Sequence, residues 1–215
     1  AELDRLDIHM IPVRVHFGAR SYLDKVGITS DEFYAEIERG TEPPKTSQPP
    51  PGDFRRQFEF LGSHHSAVIS INLTSRVSGT CAAAQTAAAR TATHGKVSVI
   101  DTGNVSAGQG LIAMYAAECA AAGYDADRII AATKAILPRT RSFGVAGSLE
   151  YAVRGGRVPR WVKEVADRLQ LMPILHNDRK GRVSAGSVLF GRSRLEEKFA
   201  RYVRRRIRGD RRYRL

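Results

Sequence analysis

Cysteine is scarce in this chain, which has only Cys81 and Cys119 among its 215 residues. Two thiols are too few for a disulfide framework, and they lack the CxxC spacing of redox and zinc sites. Unpaired cysteines are usually buried. We therefore expect both to be packed and reduced, which favours a cytoplasmic protein.

Long hydrophobic runs are also missing. No apolar stretch approaches the roughly 20 residues that a membrane-spanning helix needs, and the first ten residues, AELDRLDIHM, lack the basic end and apolar core of a signal peptide. The sequence therefore predicts a protein with no membrane span. With 42% hydrophobic residues, a chain of this length buries roughly 70% of the surface that its unfolded form exposes, which indicates a folded globular protein.

Common nucleotide and metal motifs are absent from the sequence. There is no GxxxxGK[ST] phosphate loop and no GxGxxG after a predicted strand. No group of His, Cys and Asp has the spacing of a metal site. The histidines, none of which is singled out as a catalytic base, are His9, His16, His64, His65, His94 and His176. We therefore expect no cofactor, no metal and no catalytic residue.

Positive charge is in excess, with a formal net charge of +12. Such an excess ordinarily suggests nucleic acid or an acidic membrane surface as a partner. Much of it lies in RYVRRRIRGDRRYRL, where eight arginines fall between Arg201 and Arg214. This distribution favours a solvated helix end and no specific nucleic acid. A docking surface for an acidic partner, and nucleic-acid binding through this tail, stay open as alternatives.

The hydrophobic pattern predicts strands and helices in alternation over the first part of the chain. We expect a strand at residues 8–17, helices at 29–39 and 54–61, and no regular structure at 43–51, which contains five prolines. The later strands are predicted at 67–73, 96–101 and 142–147, and the helices between them at 81–94, 111–123 and 125–137. This order predicts an α/β fold with parallel strands.

From residue 148 onward the pattern changes. This part contains a short amphipathic helix, WVKEVADRLQ, and two strands around the turn NDRKG. It predicts a smaller α+β unit. We therefore expect an α/β domain at residues 1–147 and a smaller α+β domain at 148–215.

The stretch VISINLTSRVSGTCAAA, at residues 68–84, is the most informative for function. A buried strand leads into a loop with the hydroxyls of Thr74, Ser75, Ser78 and Thr80, and a helix follows after Gly79. Free backbone N–H groups and the helix dipole favour an anion at such a helix start. The alternative is simple helix capping by Ser78 or Thr80.

Ser78 also suggests a second hypothesis, a serine hydrolase or acyltransferase. It lies in V-S-G-T and not in G-x-S-x-G, and no histidine is indicated as its base. Other candidates for ligand contacts are Thr46 and Ser47, which emerge from the stiff proline-rich loop, and Arg157 in GGRVPR, which suits an anionic group or a partner.

Five segments together carry a resemblance to a known family. They are YLDKVGIT (22–29), KTSQPPPGDF (45–54), SINLTSRVSGTCAAA (70–84), SVIDTGNVSAGQG (98–110) and SLEYAVRGGRV (148–158). In this order they resemble the successive motifs of the DegV family of fatty-acid-binding proteins. The match runs over nearly the whole chain, and T-S-Q-P at 46–49 followed by S-G-T at 78–80 is its most specific part.

The resemblance implies a parallel-sheet α/β domain with helices on both faces and a smaller, here incomplete, α+β domain, with a long-chain fatty acid held between them. In the family, the T-S-Q-P threonine and the S-G-T serine bind the carboxylate. These are Thr46 and Ser78 here, with Ser47 and Gly79 as their neighbours.

The resemblance also implies a partner. A separate fatty-acid kinase subunit, or a kinase domain fused to the same chain, would convert the bound acid to acyl phosphate with ATP, for use in phospholipid metabolism. Arg157 is the position tied to that encounter. The chain itself is then expected to be a lipid carrier and not an enzyme.

Overall fold

The structure is a computed structural model. It describes residues 2–40, 42–156, 158–178 and 180–207, except for the side chain of His94. Among these residues the β-strands are Arg14–Phe17 (β1), Arg20–Leu23 (β2), Pro44–Ser47 (β3), Val68–Asn72 (β4), Val97–Asp101 (β5), Phe143–Val145 (β6), Leu171–Asn177 (β7) and Val183–Phe190 (β8). The α-helices are Glu2–Arg5 (α1), Ser30–Arg39 (α2), Pro51–His64 (α3), Thr80–Ala88 (α4), Ser106–Ala121 (α5), Ala126–Ile136 (α6), Glu150–Arg154 (α7), Arg160–Arg168 (α8) and Leu195–Arg204 (α9).

Contacts between residues divide the chain into two compact units. The first comprises Ala1–Ser142 together with Asn177–Arg182, and the second comprises Phe143–His176 together with Val183–Leu215. The first unit contains β1 to β5, and the second contains β6, β8 and all of β7 except its last residue. The predicted domain boundary after residue 147 stays a prediction.

A parallel pair of strands lies in the first unit. β4 and β5 are paired in register along their full lengths, so that Asn72 lies opposite Asp101. Val68 packs with α3 and α4, whereas Ile69 and Ile71, which point to the other face of the strand, pack with α5 and α6. The predicted α/β fold with parallel strands and helices on both faces is thereby confirmed.

The third strand of the predicted series belongs to a different sheet. β6 pairs antiparallel with β7, with Phe143 opposite His176 and Val145 opposite Ile174, in a sheet of order β6-β7-β8. The expectation that all three strands pair in parallel is therefore wrong for this segment. A short apolar run indicates a strand but not its partner, because the pairing depends on contacts that are distant in sequence.

An antiparallel sheet of order β2-β1-β3 completes the first unit. Of its strands only β1 was predicted, as the last part of the strand expected at residues 8–17. Its strand β3 lies within the proline-rich segment, and Pro44 pairs with Phe17. Proline is tolerated at the first residue of an edge strand, where no neighbour needs its N–H. The helix α3 then begins at Pro51, because the first helical position suits proline. The prediction of no regular structure at residues 43–51 is therefore wrong.

Several predicted helix bounds also differ from the structure. α3 and α5 begin at Pro51 and Ser106, earlier than the predicted starts at residues 54 and 111, while α4 ends at Ala88 rather than near residue 94. The segment GNVSAGQG is thus partly helical despite its glycines. Intrinsic propensity is a weak guide where packing decides the outcome.

One apolar cluster forms where α3 and α4 cover the parallel pair. Phe54 and Phe58 of α3 are buried with 3% and 2% exposure, and their ring centroids are 5.8 Å apart. Phe60, on the same helix, is 56% exposed. The helix therefore contributes one face to the core and leaves the other in solvent.

We expect Phe58→Ala to lower the free energy of unfolding by about 3–5 kcal/mol, because it removes a buried ring and leaves a cavity. Phe60→Ala is the matched control on the same helix and should cost less than about 1 kcal/mol, since that ring is already largely in solvent. Denaturant unfolding followed by circular dichroism measures both values. Equal losses in the two variants would contradict the packing of α3.

The turn Asn177–Arg182 packs on the loops that follow β4 and β5. Thr74 Oγ1 donates a hydrogen bond of 2.7 Å to the carbonyl oxygen of Gly181, and Asn177 Nδ2 donates one of 3.2 Å to that of Gly103. Gly181 has a φ of +74°, and an added Cβ would lie 2.9 Å from the Cα of Gly103 and 2.6 Å from Thr74 Oγ1. Both the backbone conformation and the close approach require glycine here.

Gly181→Ala should lower the free energy of unfolding by roughly 2–4 kcal/mol, because it adds a steric clash to the cost of a left-handed residue. Gly123 shares a positive φ, +80°, but an added Cβ there would meet no atom within 4 Å. Gly123→Ala should therefore cost only about 1–2 kcal/mol. Thermal unfolding compares the two, and a Gly181 variant no worse than its control would show that the turn does not pack as described.

Candidate functional site

Ser78 lies in the loop that connects β4 to α4. Its Oγ is 2.8 Å from Thr80 Oγ1 and accepts a hydrogen bond of 3.3 Å from the backbone N–H of Thr80, the first residue of the helix. The hydroxyl thus contributes to the start of the helix. Either hydroxyl can be the donor in this pair. When Thr80 donates, the O–H of Ser78 is free to donate to a ligand.

Thr46 and Ser47 are consecutive residues of β3, and both are exposed. Because consecutive residues of a strand point to opposite faces of the sheet, their hydroxyls cannot contact the same side. Ser47 Oγ lies 2.8 Å from His16 Nε2 on the neighbouring strand β1. Ser47 is therefore held by His16, and Thr46 is the member of the pair that presents its hydroxyl to the other face.

The T-S-Q-P and S-G-T segments meet through Gln48 and Gly79. A Cβ added to Gly79 would lie 2.1 Å from Gln48 Oε1 and 2.9 Å from Gln48 Cδ. With any larger residue at position 79, the carboxamide of Gln48 would have to move. The structure therefore brings the two predicted segments into contact, and it does so through Gln48, for which the sequence predicts no role.

A carboxylate, Asp101, lies on the strand next to this loop. Asp101 Oδ2 accepts a hydrogen bond of 3.2 Å from Ser75 N, and its Oδ1 accepts one of 2.9 Å from Gly103 N. These bonds tie the loop after β4 to the end of β5. The carboxylate thus has a structural role that fixes where the loop begins.

Both cysteines are unpaired and buried, as expected. Cys81 follows Thr80 in the first turn of α4 and is 1% exposed. Burial, and next the charge of Asp101, raises the pKa of the Cys81 thiol. The thiol therefore stays protonated near neutral pH and does not supply a thiolate nucleophile beside the loop.

The described contacts of the Ser78 hydroxyl bear on the hydrolase hypothesis. Among the described side chains, no histidine lies within hydrogen-bond distance of Ser78, whose hydrogen bonds are with Thr80.

The described part of the chain also has no group of three or more His, Cys, Asp or Glu that could hold a metal ion. None of the described helices combines the length and apolar character needed to cross a membrane.

Two predicted features lie wholly or partly outside the described residues. Arg157, the candidate for the partner encounter, falls outside them, and so do residues 208–215 of the arginine-rich tail. The described start of the tail is the end of α9, where Arg201 and Arg204 occupy the last turn. The roles suggested for Arg157 and for the tail stay predictions.

Sequence comparison gives a match over the full chain. The family model described as "Uncharacterised protein, DegV family" matches residues 1–215. Protein DegV of Bacillus subtilis is 34% identical over 174 residues, which cover 80% of this chain and 62% of that protein. A DegV domain-containing protein of Caldanaerobacter subterraneus is 33% identical over 171 residues, which cover 80% of this chain and 60% of that protein. The chain thus spans about 60% of the length of such curated relatives.

Solved structures share the fold. A DegV family protein from Thermus thermophilus, described as binding fatty acid, has a TM-score of 0.83 at 28% identity, with 96% of this chain and 73% of that chain covered. DegV from Bacillus subtilis, described as a fatty acid binding protein, has a TM-score of 0.82 at 29% identity, with coverages of 95% and 72%. The sequence match and the shared fold agree that this chain belongs to the DegV family.

Proposed function

We propose that this chain binds a long-chain fatty acid and that the acid's carboxylate lies where the T-S-Q-P and S-G-T segments meet. The observation that carries the proposal is the packing of Gln48 against Gly79, which places the segment of Thr46 beside that of Ser78. Support comes from the two related structures described as fatty-acid binding, at 28% and 29% identity.

The chemistry of the meeting point suits a carboxylate. Thr46 supplies an exposed hydroxyl from β3, and Ser78 supplies a second one, which is free to donate when Thr80 is the donor of their shared hydrogen bond. The backbone N–H groups that follow Thr80 in the first turn of α4 add donors and the positive end of a helix dipole. Hydrogen bonds to a carboxylate are stronger than those between neutral groups, and they offset the several kcal/mol that its burial would otherwise cost.

The acyl tail supplies most of the affinity in this proposal. A C16 acid carries about 14 methylenes, and their removal from water is worth on the order of 11 kcal/mol at ~0.8 kcal/mol each, before the costs of ordering. The polar contacts then decide which end of the ligand lies at Thr46 and Ser78. A neutral hydrocarbon of the same length would lack that orientation.

A fatty-acid kinase is the proposed partner, as a separate subunit or as a fused domain. Hydroxyl and amide donors bind the carboxylate without neutralising it with a full positive charge, so its oxygen stays a nucleophile for the γ-phosphate of ATP. Arg157 is the proposed contact to that kinase. In this scheme the chain carries the lipid, and the kinase carries the catalysis.

Thr46→Ala combined with Ser78→Ala should reduce retention of bound fatty acid by tenfold or more, which corresponds to about 1.4 kcal/mol. Mass spectrometry of the gently purified proteins measures the amount of C14 to C18 acid per chain. Ser63→Ala, which removes an exposed hydroxyl of α3 that donates to Phe60 O, is the control and should retain the acid. Unchanged lipid in the double variant would refute the carboxylate site.

The contact between Gln48 and Gly79 can be tested separately with a double-mutant cycle. Gly79→Ala should destabilise the protein in the native background and cost less when Gln48→Ala is also present, because the clash with the carboxamide is then gone. We expect a coupling of at least about 0.5 kcal/mol, the lower end for residues in contact. Additive effects in denaturant unfolding would show that the two segments do not touch.

A further inference from the structure

A cleft of about 450 Å³ lies in the first unit, beyond the ends of β4 and β5. Its walls come from the loops at residues 74–76 and 101–104, from residues 134, 137, 138 and 141, and from residues 177, 178, 180 and 181. The volume is within the range of small-ligand sites, about 300–1,000 Å³. Ligands of α/β folds commonly bind beyond the carboxyl ends of parallel strands, so the position is suited to a ligand.

Four cationic side chains line this cleft: Arg76, Lys134, Arg141 and Lys180. Within the described ranges, none of the four has an ion pair with a carboxylate, and the side chain of Arg141 donates to the carbonyl oxygen of Thr140 at 3.0 Å. Four unpaired cations around one cavity repel each other. An anion in the cleft would relieve that repulsion.

The two carboxylates in the lining are already engaged. Asp101 accepts hydrogen bonds from the backbone of Ser75 and Gly103. Asp178 accepts from the backbone N–H of Lys180 at 2.7 Å and of Arg182 at 2.9 Å, and from Arg182 Nε at 2.8 Å. The backbone and side-chain bonds from Arg182 are the main causes that lower the pKa of Asp178 to about 2.

The floor of the cleft consists of buried polar side chains that are hydrogen-bonded to the protein itself. Thr74, Thr102 and Asn104 are each at most 2% exposed. Thr74 Oγ1 donates to Gly181 O, Thr102 Oγ1 donates to Asn72 O at 2.8 Å, and Asn104 Nδ2 donates to Thr102 O at 3.1 Å. Because these groups have partners, recognition of a ligand falls to the four cations above them.

We propose that the cleft binds a phosphate group, either as inorganic phosphate or as a phosphate monoester. A phosphate dianion matches several cations at once, arginine bonds to it in a bidentate way, and lysine binds it as a point charge. No aromatic side chain is among the described residues that line the cleft, which favours a phosphate recognised by charge over a nucleobase stacked on an aromatic ring. This site is separate from the proposed fatty-acid site and does not depend on it.

Isothermal titration calorimetry of the full chain, with ionic strength held constant by sodium chloride, tests the proposal. Inorganic phosphate and glycerol 3-phosphate are the two probes, and the tighter one identifies free phosphate or a monoester as the preferred source. We expect saturable binding of at least one. Lys134→Ala combined with Lys180→Ala should weaken it at least tenfold.

A matched control removes two positive charges elsewhere. Arg90 and Arg168 are exposed, and neither lines the cleft. Arg90→Ala combined with Arg168→Ala should leave phosphate affinity within about twofold, because neither side chain lines the cleft. Amide chemical shifts in NMR spectra should change on phosphate addition at Gly103 and Gly181.

Three outcomes would overturn the proposal. The first is the absence of saturable binding beyond that of chloride, and the second is an equal loss of affinity in the control variant. The third is a set of phosphate-induced shifts that avoids the loops and the turn around the cleft. These outcomes can be told apart from a failure of the fatty-acid proposal, because that proposal is tested with variants of Thr46 and Ser78 and not of the four cations.

Discussion

The in-register parallel pairing of β4 with β5 is the constraint on which the rest of the first unit depends. It places the ends of both strands, Asn72 and Asp101, side by side, so the loops that follow leave the sheet at the same edge. Asn72 holds the start of the loop after β5, because its carbonyl oxygen accepts hydrogen bonds from both the N–H and the hydroxyl of Thr102. A slip of one residue would turn the strand side chains to the wrong faces and separate these loops.

The loop after β4 takes part in two surfaces. At its start, Thr74 holds the turn Asn177–Arg182 and borders the cationic cleft. At its end, Gly79 accommodates Gln48 and so meets the edge strand β3. The two surfaces differ in the chemistry that we propose for them. The cleft has cations without an ion pair among the described residues, which suit a phosphate dianion, whereas the meeting point of the two segments has neutral donors, which suit the proposed carboxylate.

Sequence patterns were most accurate where local signals and packing agree. The capping box of α2, formed by Thr29 and Glu32, and the left-handed Gly40 that ends this helix match the predicted start and stop. The buried parallel strands were also predicted correctly, because a strand that is covered on both faces has a continuous apolar, β-branched sequence. The proline-rich segment was misread, because Pro44 begins an edge strand and Pro51 begins a helix, and both positions are compatible with proline only in this tertiary context.

By itself, the sequence determined the family, the α/β class and the two segments in which a carboxylate site was predicted, because hydrophobic periodicity and short motifs are local properties of the chain. Tertiary structure decided that β6 pairs with β7 rather than with the parallel strands. It also decided that Thr46 and Ser47 face opposite ways, and that four distant cations share one cleft. These features depend on pairing and on contacts between residues far apart in sequence, and no local pattern encodes such distances.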